Sequence, residues 1–97
     1  MRKKRFTKKE CIDLADALNV NLDVVGLDQW INGMNVELEH GKVNPYTNIT
    51  DDDPLMTAQI ALAHLMEYPD YYDRLEKLEA QAQKYWDQRK KPDVLLP

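Results

Sequence analysis

From Asp51 to Trp86 the chain reads DDDPLMTAQIALAHLMEYPDYYDRLEKLEAQAQKYW, and the punctuation of this stretch decides the fold. Asp53 followed by Pro54 is a helix start, because an aspartate caps orphan amides and proline suits the first helical position. The residues that follow, up to about Tyr68, are apolar nearly all round: Leu55, Leu62 and Met66 on one side, Met56, Ile60 and Ala63 on another. A helix of that kind is expected at the centre of a bundle. Pro69 stops it, and Asp70 opens a second helix that can run to about Lys90. Along that helix Tyr71, Leu75, Leu78, Ala82, Tyr85 and Arg89 recur at alternating spacings of four and three, the signature of a seam. Glu76, Lys77, Glu79 and Gln83 face water.

Working outward, Thr7 and Glu10 form the sequence of a capping box, with Phe6 and Cys11 placed as a hydrophobic staple. Cys11, Leu14, Ala15 and Leu18 continue at helical spacing, which predicts a first helix ending near Asn19. Val20 to Val25 reads as a partly buried connection in which a short strand would lack a partner. A further helix is expected from about Leu27 to His40, with Leu27, Trp30, Ile31, Met34 and Leu38 on one stripe and Gly41 as its stop. Gly33, Glu37 and His40 lie on its flank. A glycine inside a helix costs about 1 kcal/mol relative to alanine, and a close approach by another helix on that flank would compensate and half-bury Glu37. Asp51 and Asp52 with Asp53 lack the alternating ligands and distal glutamate of a calcium loop, so they read as capping residues. The fold class is all-α, a single four-helix domain over residues 1–97 with a long C-terminal helix, a basic tail at 1–6 and an apolar tail at 92–97.

With 97 residues, 43% hydrophobic and 31% charged, the chain is sized for one modest core. No apolar run approaches the length of a membrane span. The single Cys11 forms no internal disulfide, which fits a reducing compartment, and a cytoplasmic location is expected, of a host cell or within a virion if phage-encoded. Charge is unevenly spread: residues 2–9 hold six bases and no acid, while Glu10 to Glu79 carry 15 acids against Lys42, Arg74 and Lys77. An acidic body disfavours nucleic-acid binding except through the basic N-terminal run.

Both histidines sit three residues from a glutamate, as Glu37-x-x-His40 and His64-x-x-Glu67. Helical spacing puts each pair on one face, and such side chains can bind Zn, Fe or Mn or form a polar packing network. Only Glu39 and Asp70 are spare carboxylates, so a mononuclear site is the most the count supports. Geometry sets a condition. In a simple antiparallel hairpin His40 lies beside Pro54, and His64 is ten residues on, about 15 Å away. A shared site needs the loop Lys42 to Asp53 to carry the chain back so that the helix ends meet.

Nucleophilic catalysis finds little support, since Cys11 falls on an apolar face and no phosphate-cradling loop is present. Tyr71, Tyr72, Tyr85 and Trp86, with Val94, Leu95 and Leu96 of the tail, are candidate interface residues. The elements GMNVELEHG and T-x-x-IALAHL-x-E-x-PDYY-x-RL, spanning Gly33 to Glu79, resemble a family of small bacterial and phage proteins of unknown function. The resemblance implies that Glu37, Glu39, His40, Gly41, His64, Glu67, Pro69, Asp70 and Tyr71 belong to a family signature, and it brings no activity. The expectation is a non-enzymatic interaction module that binds a protein partner or itself and needs no cofactor. The alternative is a small metal-binding protein using Glu37, His40, His64 and Glu67.

Overall fold

A computed structural model describes residues 5–89. Their order is α1 (Lys8–Ala17), a single turn α2 (Leu22–Val25), α3 (Leu27–Val36), a 3₁₀ turn (Glu37–His40), α4 (Pro54–Glu67) and α5 (Tyr71–Asp87). The described residues contain no strand, and the protein is all-α. Four helices exceed one turn, and the apolar tail at Val94, Leu95 and Leu96 lies outside the described residues.

The ends of the helices follow local chemistry. Thr7 and Glu10 close the capping box in both directions, and Phe6 and Cys11 are both buried. Asn21 accepts from the Asp23 amide, so Val20 to Val25 winds into a turn of helix where a lone strand would have had no ladder to join. The helix expected to run unbroken from Leu27 to His40 instead tightens after Val36 into the 3₁₀ turn. Gly33 and Asn35 weaken it there: one has no side chain, and the other turns its amide back to the Ile31 carbonyl at 3.0 Å.

Two hydrogen bonds, one buried and one partly buried, fasten α1 and the residues before it to α3. Trp30 donates its indole N–H to the Cys11 carbonyl at 2.7 Å, and the Phe6 amide donates to Asn35 Oδ1 at 2.7 Å. The core gathers Phe6, Cys11, Ala15, Trp30, Met34, Leu38, Ala58, Ala61, Leu65 and Tyr72. Helix α4 enters it with Thr57, Ala58, Ala61 and Leu65, the two alanines allowing close approach. Leu62 packs half-buried against the core, and most of the remaining apolar residues of α4 stay outside. Leu55 and Met56 are exposed and Met66 is 78% exposed, so α4 is not the enclosed central helix its composition predicts. Only one face of it has neighbours, and the sequence does not record how many partners a helix will have.

The Lys42–Asp53 loop is closed on itself. The Ile49 and Thr50 amides both donate to the His40 carbonyl, at 2.6 and 3.2 Å, and the Lys42 amide donates to Asp52 Oδ1 at 2.9 Å. Asp51 and Asp52 take left-handed backbone angles, φ 54 and 63, which aspartate tolerates better than most residues. Asp53 caps α4 by accepting from the Met56 amide at 2.8 Å. The three aspartates are turn and cap residues.

Candidate functional site

The polar centre of the protein is the Glu37 carboxylate. It lies on the first residue of the 3₁₀ turn and is 2% exposed. One flank of it faces α5, where Tyr72 donates its hydroxyl to Glu37 Oε2 at 2.6 Å. That approach depends on Gly33, one turn earlier: a Cβ there would sit 2.5 Å from Tyr72 Cε2 and 2.9 Å from Cδ2. The glycine in the helix interior is the gap into which the tyrosine ring packs. Burial, and then the bond to Glu37, push the Tyr72 hydroxyl well above the usual tyrosine range, so it remains a donor.

The histidines stand on either side of this carboxylate. His40 Nε2 is 3.8 Å from Glu37 Oε1 and 3.3 Å from Glu39 Oε1, and His64 Nε2 is 3.8 Å from Glu37 Oε2. At 3.8 Å the imidazoles are charge neighbours of Glu37 and not hydrogen-bond partners. His64 is held by stacking: its ring lies 4.3 Å from that of Tyr71 with 13° between planes, and Tyr72 meets it edge-on. Two buried polar atoms in the cluster, Glu37 Oε1 and His64 Nδ1, make no hydrogen bond. Glu39 has its carboxyl raised above the ordinary glutamate range, first by partial burial and then by the Glu37 and Glu79 carboxylates, against the pull of His40. Tyr71 is likewise raised, by burial and by the charges of Glu37, Glu67 and Glu39.

The loop does not carry the chain back along the preceding helix, as a shared site was expected to need. It folds back onto His40, as in a hairpin, yet His64 still reaches Glu37. The meeting point is Glu37, a turn before His40, which removes several residues from the offset of about 15 Å. Two long side chains span what remains. Glu37, His40 and His64 are thus brought together, while Glu67 is exposed at the end of α4 and adds a charge near Tyr71. Among the described residues no group of three or more His, Cys, Asp or Glu is arranged to hold a metal ion.

The aromatic candidates divide. Tyr72 is 1% exposed and belongs to the core, because α5 crosses α3 at Gly33. Tyr71 is half-buried against His64. Tyr85 and Trp86 pack edge to face at 4.9 Å near the far end of α5, with the Arg89 guanidinium 4.0 Å above the Tyr85 ring. No helix among the described residues is long and apolar enough to cross a membrane.

Fold and cluster together define an all-α domain in which one buried carboxylate links the end of α3 to α4 and α5. The chain belongs to the DUF5661 family, proteins of unknown function, whose sequence profile matches residues 6–81 and so takes in the whole cluster. No curated protein and no solved structure matches the chain.

Proposed function

We propose that this protein is a small non-enzymatic interaction module, of bacterial or phage origin and acting in the cytoplasm, that binds a protein through the outward face of α5. One observation carries the reading. Beyond Leu75 no described residue of α5 is buried, yet the apolar spacing continues, with Leu78 59% and Tyr85 49% exposed. An isolated helix of this length is marginal in water and gains its stability by packing an apolar face. The polar cluster then has a structural role: Tyr72 and Glu37 fix where α5 leaves the body, and so where its face points. Comparing the wild type with Leu78→Glu in capture from a bacterial lysate tests this. A partner lost from the variant while its thermal unfolding is unchanged supports the reading; identical capture contradicts it.

A second reading rests on Glu37 Oε1 and His64 Nδ1, buried without hydrogen bonds. Under it, Glu37, His40 and His64 rearrange around a single Zn, Fe or Mn ion, with Glu39 nearer than Glu67 as a further carboxylate. Metal analysis of untagged protein beside a Glu37→Ala, His64→Ala variant decides it. Stoichiometric metal lost from the variant supports a metal site, and substoichiometric metal in the wild type refutes one.

A further inference from the structure

The exposed face of α5 has a periodicity that specifies its occupant. Leu75, half-buried against the core, then Leu78, Ala82 and Tyr85 in the open and Arg89 just past the helix end follow steps of three, four, three and four residues. That is the 3.5-residue repeat by which one helix accepts the knobs of another with the same repeat. This chain supplies such a helix. The positions flanking the seam from Leu78 onward are Glu79, Gln81, Trp86 and Gln88, of which only Glu79 is charged.

Charge fixes the direction. The body is acidic, with a net charge of −12 between Glu10 and Glu79, and α5 starts with Asp70 at its N-cap, paired with Arg74, and Asp73 in its first turn. The far end of the helix is net basic, with Lys84 and Arg89 against Asp87 and, next in sequence, Lys90 and Lys91. In a parallel pair Arg89 would face Arg89 on the seam and the two acidic bodies would lie side by side. In an antiparallel pair each basic end lies against the acidic root of the other α5, beside Asp70, Asp73 and the Glu67 carboxylate. Like charges placed opposite one another across an interface are the costlier arrangement.

Resting on the interaction reading above, we propose that the partner is a second copy of this chain, joined by antiparallel pairing of the two α5 helices about a two-fold axis near Ala80. The seam from Tyr71 to Arg89 spans fewer than three heptads, so the dimer is a weak one that forms with rising concentration and loosens with rising salt.

Sedimentation of the full chain up to about 0.5 mM, where small interfaces still register, reads the stoichiometry. A monomer–dimer equilibrium is expected in the wild type and a monomer in Leu78→Glu. Spin labels on Gln88→Cys read the direction, since Cys11 is fully buried and shielded from labelling. An antiparallel pair separates the labels by about 24 Å along the axis, and a parallel pair brings them to about 10 Å. A wild type that stays monomeric, a dimer that survives Leu78→Glu, or the short separation overturns the proposal. A monomeric wild type that still loses a captured protein on Leu78→Glu overturns the second copy and leaves the interaction reading standing.

Discussion

Replacing Gly33 with alanine sets two well-known effects against each other, and the structure says which wins. In an open helix the substitution stabilises by about 1 kcal/mol. Here the new methyl would lie 2.5 Å from Tyr72 Cε2, 2.9 Å from Cδ2 and 3.1 Å from Cζ. Aromatic carbon contacts settle near 3.5 Å, so the ring has to withdraw by about 1 Å. That overpacking costs about 1–3 kcal/mol. The same movement stretches the 2.6 Å bond from the Tyr72 hydroxyl to Glu37 beyond hydrogen-bonding range. A lost bond to a charged group adds about 1.5–3 kcal/mol. After the propensity gain, Gly33→Ala is expected to destabilise by about 2–4 kcal/mol, a fall in Tm of roughly 10–25 °C for a domain of this size. Thermal and urea unfolding followed by circular dichroism give the number. In a Tyr72→Ala background the penalty should vanish and the helix gain should reappear, a coupling of about 3–5 kcal/mol in the double-mutant cycle. A Gly33→Ala protein that is as stable as the wild type, or more so, refutes the close-packing argument.

Tyr72→Phe removes the hydroxyl alone and leaves Glu37 Oε2 without its donor, for an expected loss of about 1–3 kcal/mol in urea unfolding. The Tyr72 hydroxyl is held above its unfolded value of about 10, so its contribution is fully present below that pH and is lost as pH rises past it toward the folded value. Unfolding midpoints measured from neutral to strongly alkaline pH should therefore fall more steeply in the wild type than in Tyr72→Phe. Leu78→Glu, on an exposed seam, should change the stability of the dilute chain by no more than about 0.5 kcal/mol. Arg74→Ala breaks an exposed, solvent-screened pair with Asp70 at 2.9 Å and should leave the urea unfolding midpoint essentially unchanged.

What could be read from the residues was mostly local. Thr7, Glu10 and Asp53 mark helix ends through bonds to amides three residues away, with Pro54 fixing the first helical position, and short-range chemistry of that kind survives into the fold. Gly33 was legible for a different reason. Its cost in a helix called for a compensating neighbour on the flank it shares with Glu37, and Tyr72 is that neighbour. The identity of the neighbour was not legible. Tyr71, Tyr72, Tyr85 and Trp86 look alike along the helix, and which ring turns inward is settled by where α5 crosses α3. For the same reason α4 appeared enclosed: its apolar content says what could be buried, whereas the single packed face is set by the placement of α1, α3 and α5. Both histidines approach Glu37, a meeting point that the spacing between His40 and His64 does not reveal.

The central claim is that α5 is anchored in the body by its first turn and works through the part beyond it. Residue-resolved amide hydrogen exchange on the dilute chain tests this most directly, with Tyr71 to Leu75 compared against Leu78 to Asp87. The account predicts strong protection at Tyr72, whose amide also bonds Gln29 Oε1 at 3.3 Å, and weak protection in the distal stretch that rises only when a partner is bound. Uniform protection along α5 in the dilute chain, unchanged by Leu78→Glu, would contradict it.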